Sequence, residues 1–585
     1  MESDAAPLAK AALARGDLIA AYDIATAAIE AGDASHAVRH SQVLALARMG
    51  DTERAMGLFA GYGLDRSDDP HVRAAGARLL KDRALAATGA ARQESLEQAF
   101  AAYHEIYLES GDSFPGINAA TLALLAGRRA EAERLARALL ADPTVAEPGD
   151  YYCAATRAEA LLLLGRTDEV IAALGGAEVA ASADFGGRSS TIRQLGRVAA
   201  HLGLSAAEQA ALVAPLAPPR VLHYCGHMFG ADAEAEARLR SAIDRALEEE
   251  KVGFACGALA CGADILCAEA LLARGAELTI VLPFEEEDFL AQSVRPGGAD
   301  WEARFRACYD RAARVIFSSP MAYFGHPDQY GYSSRIAMGL ARLRAAQLAG
   351  EAVQLAIWDG APPRGPAGTG ADVAAWAAAG GRGRVIDPGP VARGLKRPEP
   401  RMATPYERRL AAILFTDFKD FSALSEAALP AFWDGVMRVV ADVLDAHEGE
   451  IECRNSWGDA LYAVTYSAPG AAEIALQLQD RLARFDYATL GLDGSAGMRI
   501  GAHYGPAYRA TDRITGRTTF YGTEVSKAAR IEPVTPPGAV FVTEPLAAIL
   551  ALEAADSFAC RYVGRIALAK KYGDYPMYRL TRVNA

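Results

Sequence analysis

The chain lacks any run of 18 or more apolar residues, the length a membrane-spanning helix requires. Its first ten residues also lack the basic-then-apolar pattern of a secretory signal, so a cytoplasmic chain without membrane insertion is expected. Cysteine is scarce: eight residues, at 153, 225, 256, 261, 267, 308, 453 and 560. They form no Cys-x-x-Cys pair and no His cluster accompanies them, which argues against a structural zinc site or a disulfide framework. Reduced, mostly buried thiols are expected instead. Cationic surplus is missing too. With 60 Lys and Arg against 73 Asp and Glu, the net charge of −13 excludes a broad basic surface for nucleic acid or anionic lipid. It leaves room for a local basic pocket.

What is present is length and helix-forming residues. A chain of 585 residues exceeds what one core supports, so several domains are expected. Alanine dominates the first 215 residues, which leans them toward helix. Gly16-Asp17 and Gly50-Asp51 stand 34 residues apart with Gly32-Asp33 between them, and each turn opens a segment with apolar residues at helical spacing. Gly127-Arg128 and Gly165-Arg166 introduce similar helices. This period is similar to that of tetratricopeptide (TPR) arrays, in which stacked helix pairs share a core, so 1–214 is expected to be an all-α helical repeat. Within it, Ser113-Phe114-Pro115 followed by Gly116-Ile117-Asn118-Ala119-Ala120-Thr121-Leu122 resembles the TRAFs-binding region of some eukaryotic stress-kinase kinases. That resemblance covers roughly 80–205 and implies a regulatory scaffold with a protein partner; the alternative is that these helices merely pack on their neighbours.

Pro215, Pro218 and Pro219 break the helical pattern. Strand-like segments then alternate with helices: Val221–His227, Val252–Ala255, Leu278–Phe284, Arg314–Phe317 and Gln354–Trp358, with Val385-Ile386 as a candidate last strand. Such alternation predicts an α/β doubly wound, Rossmann-like sheet over 218–387. Ligands of these sheets bind at strand carboxyl ends, where Gly226 and the run Gly257 to Asp264 fall. The segment resembles the SLOG superfamily of nucleotide-binding domains. The resemblance makes Gly226, Gly257, Gly262 and Asp264 a second candidate nucleotide site, with simple helix capping as the alternative for Asp264. Residues 388–407, rich in Pro, Gly and Arg, are expected to be a linker.

The region 408–585 opens with the apolar strand Ala411–Thr416, ending in Asp417. A helix from Pro430 to His447 leads to a hairpin-like segment, Ile451 to Trp457, and to the turn Gly458-Asp459. Two aspartates at one sheet edge offer hard oxygen ligands suited to Mg²⁺ or Mn²⁺. The ordered set Phe415-x-Asp417-x-x-x-Phe421-Ser422, Gly458-Asp459-Ala460, Met498-Arg499-Ile500-Gly501-Ala502-His503-Tyr504-Gly505, and Tyr521-Gly522 with Ala528-Ala529-Arg530-Ile531-Glu532 resembles the class III adenylate/guanylate cyclases. The resemblance implies an α+β ferredoxin-like domain that works as a homodimer. Its expected activity is conversion of a nucleoside triphosphate to a cyclic 3′,5′-monophosphate and pyrophosphate with two metal ions per active site.

On the positions that match the family motifs, the resemblance makes Asp417 and Asp459 metal ligands and Arg530 the arginine facing the phosphates. Lys571 falls at the phosphate-binding lysine, with Lys570 beside it in a local alignment that slides by one residue. Asn455 falls where adenylate cyclases carry an adenine-reading lysine, and Thr519 at its partner position. Ser526 replaces the asparagine that orients the ribose. An amide both donates and accepts, so Asn455 matches neither the adenine nor the guanine set. ATP is the default substrate, a guanine or pyrimidine nucleotide is the alternative, and a non-catalytic nucleotide-binding scaffold is a third reading.

Overall fold

The computed structural model describes residues 4–391, 395–400, 406, 408–492 and 496–583. The linker expected at 388–407 thus falls in part on 392–394, 401–405 and 407, which lie outside the described residues. The chain forms two compact units. One holds the residues up to Pro218 with Gln347–Gly350 and Tyr562–Gly564, and the other holds the remainder.

The first unit is built almost entirely of helices up to Pro218, and the glycine turns seen in the sequence separate them. Ala5–Ala14, Leu18–Glu30, His36–Met49 and Thr52–Gly61 are divided at the Gly-Asp pairs or just beyond them. Asp17 starts its helix by accepting a hydrogen bond from the Ala20 amide, satisfying one of the orphan donors of the first turn. Arg129–Leu140 and Thr167–Leu174 follow the two Gly-Arg turns. The Gly116–Leu122 motif lies inside the helix Ser113–Leu125 and faces inward. Lys81 Nζ donates to Asn118 Oδ1 at 2.7 Å, while Thr121 Oγ1 and Gln194 Nε2 both donate to Glu159 Oε1. The motif therefore serves a buried polar network that ties four helices together.

The second unit contains two sheets. The first has six parallel strands: β1 Arg220–Gly226, β2 Val252–Gly257, β3 Glu277–Leu282, β4 Arg314–Phe317, β5 Ala352–Ile357 and β6 Arg382–Ile386. Their order is β4-β3-β2-β1-β5-β6. The chain thus builds outward from β1 to β4, then crosses back to place β5 on the other side of β1. Val385-Ile386 belongs to the sixth strand, as the sequence suggested.

The second sheet comprises β7 Arg408–Lys419, β8 Ile451–Trp457, β9 Ala460–Thr465, β10 Gly497–Thr511, β11 Thr518–Tyr521, β12 Val540–Thr543, β13 Phe558–Ala567 and β14 Asp574–Arg582. The order β13-β14-β12-β10-β7-β9-β8 puts β10 at the centre with β7 beside it, and β11 pairs with β10. A helical stretch from Leu429 to Ala446 joins β7 to β8, and the helix Ala468–Leu482 joins β9 to β10. These elements follow the order βαββαβ with the ferredoxin-like arrangement β10-β7-β9-β8. Strands β7 and β10 pair antiparallel from Lys419↔Gly497 to Arg408↔Tyr508. Leu414, Ile413, Ala412 and Ala411 on β7 are all buried, which fits an apolar run near the centre of a sheet covered on both faces. Among the described residues no helix is long and apolar enough to cross a membrane. All eight cysteines are free thiols.

Candidate active site

The carboxyl end of β7 brings the first two acidic residues together. Asp417 sits near the end of the strand, and Asp459 follows Gly458 in the tight turn between β8 and β9. Asp459 Oδ2 accepts a hydrogen bond from the Phe418 amide at 3.0 Å, which pins the hairpin turn over the end of β7. Burial, the Asp459 charge and a hydrogen bond between the two carboxyls raise Asp417 to about 6, against the opposing charge of Arg499. Two carboxylates held this close repel one another, and a divalent cation between them would relieve that repulsion.

Two further residues belong to this corner that the sequence had not singled out as functional. Arg499 stands directly opposite Asp417 in the β7–β10 register. Glu532 lies 4.0 Å from Arg499, and its carboxyl is raised to about 7, first by burial and then by the neighbouring Asp417 charge. Gly501 makes this approach possible: a Cβ there would lie 2.6 Å from the Glu532 amide nitrogen. Both residues stood inside quoted motifs, but only the register of β10 on β7 reveals what they face. Although Glu532 stands two residues after Arg530 in the chain, the structure sets it beside Arg499 and Asp417. Among the described residues no group of three or more His, Cys, Asp or Glu is arranged to hold a metal ion. Two aspartates would suit Mg²⁺ or Mn²⁺, ions that keep several waters and complete their shell with substrate phosphate.

The cationic residues collect on a second set of elements. Ser526 is exposed on the six-residue helix Thr523–Ala528, and Arg530 follows directly. Arg530 has no ion-pair partner among the described residues, and its carbonyl accepts from the Ala569 amide at 3.5 Å. This contact sets the Arg530 backbone beside the turn that holds Lys570 and Lys571. Both lysines are exposed and both adopt left-handed backbone, with φ of 61° and 58°. For residues with a Cβ that conformation costs about 1–2 kcal/mol each. The Leu568 amide, donating to the Gly573 carbonyl at 2.9 Å, closes the turn.

The base-reading candidates lie on two neighbouring edges. Asn455 is exposed on β8, and its Oδ1 accepts from the Ser456 amide at 3.0 Å. Thr519 is on β11, opposite Ala510 of β10. Tyr462 of β9 donates through its hydroxyl to the Phe520 carbonyl at 3.1 Å, tying the two edges together above a shared apolar cluster.

The second candidate nucleotide site is filled by protein at each glycine. A Cβ on Gly226 would lie 2.3 Å from Ala263 Cβ, and one on Gly257 2.5 Å from the Tyr224 ring. At Gly262, with φ of +90°, it would lie 2.7 Å from the Phe229 amide nitrogen. Asp264 is buried, accepts from the Ala260 amide at 3.3 Å, and is raised to about 7 by that burial. These four residues do share one corner, at the point where the sheet order reverses. His227 Nε2 and Asp359 Oδ1, just beyond β1 and β5, meet there at 2.9 Å.

Comparison with known proteins agrees with this layout. Residues 404–582 match the family model of the adenylate and guanylate cyclase catalytic domain, and residues 17–123 match that of Tetratricopeptide Repeats-Sensor. The C-terminal part is thus an adenylate/guanylate cyclase catalytic domain, and a TPR-type sensor domain stands near the N-terminus. The latter match only partly overlaps the 80–205 segment marked by the TRAFs-binding-like motif. Solved structures similar to this chain include the adenylyl cyclase CyaB from P. aeruginosa, at 18% identity and a TM-score of 0.27, covering 30% of this chain and 96% of that one. Adenylate cyclases from Trypanosoma brucei match at 23% identity and a TM-score of 0.27, covering 29% and 87%. The guanylate cyclase domain of RhGC from Catenaria anguillulae, solved with GTP, matches at 19% identity and a TM-score of 0.26, covering 30% and 97%. No curated protein matches the chain.

Proposed function

We propose that the C-terminal domain converts a nucleoside triphosphate, ATP by default, to a cyclic 3′,5′-monophosphate and pyrophosphate. The observation that carries this reading is the juxtaposition of Asp417 and Asp459 at the end of β7, close enough to share a hydrogen bond. In the reaction the ribose 3′-oxygen forms a bond to the α-phosphorus, its proton is lost, and pyrophosphate leaves with the electron pair of the broken P–O bond. When bound, two Mg²⁺ or Mn²⁺ ions would lower the 3′-hydroxyl pKa and neutralise charge on the phosphates. Asp417 and Asp459 are the residues that would hold them. Arg530 donates paired hydrogen bonds to the phosphates as their charge shifts toward pyrophosphate, and Lys571, with Lys570 beside it, adds a compact positive charge. Ser526 hydrogen-bonds the ribose, while Asn455 and Thr519 meet the base edge. Catalysis is positioning plus electrostatics, with no covalent work for the protein.

A homodimer completes the site in this reading. Trp457, at 62% exposure, and Ile514, at 96%, protrude from the β8–β9 and β10–β11 hairpins, and large exposed apolar side chains of this kind suit burial against a second copy. The domain division 1–214, 218–387 and 408–585 goes with a regulated enzyme. The helical array offers a surface for a protein partner, and the SLOG-like sheet offers a nucleotide-related site at its β1–β5 crevice. A cytoplasmic setting agrees with free thiols and a nucleoside triphosphate substrate.

A non-catalytic nucleotide binder is the second reading, favoured by the short Ser526 and by Asn455, whose amide oxygen is engaged with the Ser456 backbone amide. Incubation of the full chain with each of ATP, GTP, CTP and UTP and Mn²⁺, followed by mass spectrometry, separates the two. Cyclic product from at least one triphosphate is expected and identifies the base; product from none overturns the cyclase reading.

A further inference from the structure

The helix Thr523–Ala528 has six residues, too few to be stable by its own hydrogen bonds, yet it carries Ser526 and leads into Arg530. Its position must come from tethers. The inward side of this short helix holds two charged residues, Glu524 and Lys527, one turn apart and both buried. Lys527 Nζ donates to Glu524 Oε2 at 2.6 Å. His503 Nε2 lies 2.7 Å from the same oxygen, and His503 Nδ1 lies 2.7 Å from Thr543 Oγ1 at the end of β12. His503 is itself only 1% exposed and stands opposite Ile413 on β7, the strand that bears Asp417.

The same cluster reaches the lysine turn. Lys527 Nζ sits 5.3 Å from the centroid of the Tyr575 ring, a cation–π distance, and the Tyr572 hydroxyl donates to the Thr523 carbonyl at 3.1 Å. Tyr572 directly follows Lys570 and Lys571, and Tyr575 comes three residues later. Three ionisable side chains thus meet at one point, and each leads to a different element of the candidate active site.

Burying such a group is expensive. Taking an ion pair out of water costs several kcal/mol before its mutual attraction is counted, and apolar residues of similar volume often pack as well or better. Simple anchoring of a six-residue helix would not need charge. Burial of Glu524 alone would raise its carboxyl, but His503 and Lys527 outweigh that and bring it down to about 2, so the carboxylate stays ionised. What charge supplies that an apolar contact does not is a single preferred geometry, because each partner must stay within hydrogen-bond distance of one oxygen.

We propose that His503, Glu524 and Lys527 form a buried clasp that holds the Ser526–Arg530 segment and the Lys570–Lys571 turn in fixed register with the strand bearing Asp417. This rests on the cyclase reading. Glu524 and Lys527 are then positioning residues: they act through Arg530 and Lys571, and touch neither substrate nor metal. Because Arg530 is assigned to charge that shifts in the transition state, a loosened clasp lowers kcat more than it raises KM.

The test uses the full chain with Mn²⁺ and whichever triphosphate the wild type cyclises. Concentration of competent enzyme is normalised by titration with a non-reacting triphosphate analogue. Lys527→Met is expected to lower kcat at least tenfold with KM changed less than about threefold, and Lys527→Arg to restore much of it. Lys527→Met leaves Glu524 buried without its cation, so Glu524→Gln/Lys527→Met, which removes both charges, provides the folded control. The same kcat loss is expected in it at a melting temperature near wild type. A folded double variant with wild-type kcat overturns the clasp and leaves the cyclase reading intact. Wild-type protein that forms no cyclic product overturns that reading, and the clasp's role with it.

Discussion

Replacing Asp459 by asparagine separates stability from activity at the two-aspartate corner. Asp417 is raised from 3.8 to about 6, and the Asp459 charge and hydrogen bond are the causes after burial. That rise corresponds to about 3 kcal/mol. Asp417 is only half-buried, so solvent screening and the burial share reduce the part due to Asp459 to about 1 kcal/mol. A carboxyl whose folded pKa is raised costs stability once the pH exceeds its unfolded pKa, and the cost grows from about pH 4 to about pH 6 and then levels off. Asp459→Asn keeps an oxygen for the Phe418 amide and removes the repulsion. At pH 8 without metal the variant should unfold a few degrees above wild type, a shift appropriate to about 1 kcal/mol. At pH 4 the difference should vanish. Added Mn²⁺ should stabilise wild type, by about 2.7 kcal/mol at a hundred times its Kd, and the variant much less. Cyclase turnover should fall roughly a thousandfold or more. Thermal unfolding at the two pH values, with and without Mn²⁺, reads all of this except turnover. A variant less stable than wild type at pH 8 without metal, or a gain that persists at pH 4, would refute the reasoning.

Three other outcomes are expected. Asp459→Ala and Arg530→Ala should each be inactive alone, and mixing them should recover activity if a dimer shares its sites; an inactive mixture containing heterodimers argues for sites within one chain. Trp457→Glu should shift the protein toward monomer in sedimentation and lower activity in parallel, while an unchanged sedimentation profile removes that hairpin from the interface. Gly226→Ala should destabilise the six-stranded sheet by about 1–3 kcal/mol because its Cβ would lie 2.3 Å from that of Ala263, an overlap visible as a lower melting temperature whether or not nucleotide binds there.

The order of elements was legible wherever local chemistry decides it. Gly-Asp and Gly-Arg pairs marked helix breaks because they end one helix and begin another. The apolar runs before Gly226 and Asp417 proved to be strands at or near the centre of their sheets. Asp417 and Asp459 were readable because a strand end and a tight turn are both local features. What stayed hidden depends on register and packing. Arg499 meets Asp417 only through the pairing of β10 with β7, and Glu532 joins them only because Gly501 leaves room. Glu524 and Lys527 lay between motif positions, and nothing in their spacing distinguishes a buried ion pair from a solvated one. Asn118 and Thr121 carried the opposite ambiguity: a short motif that resembled an interaction module also forms a buried hydrogen-bond network.

The balance of products tests the cyclase claim most directly. Wild-type protein, Mn²⁺ and its preferred triphosphate should yield cyclic 3′,5′-monophosphate and pyrophosphate in equal amounts, and Asp417→Asn should yield neither. Orthophosphate with nucleoside diphosphate, or linear monophosphate without cyclic product, would contradict cyclisation and point to a hydrolase.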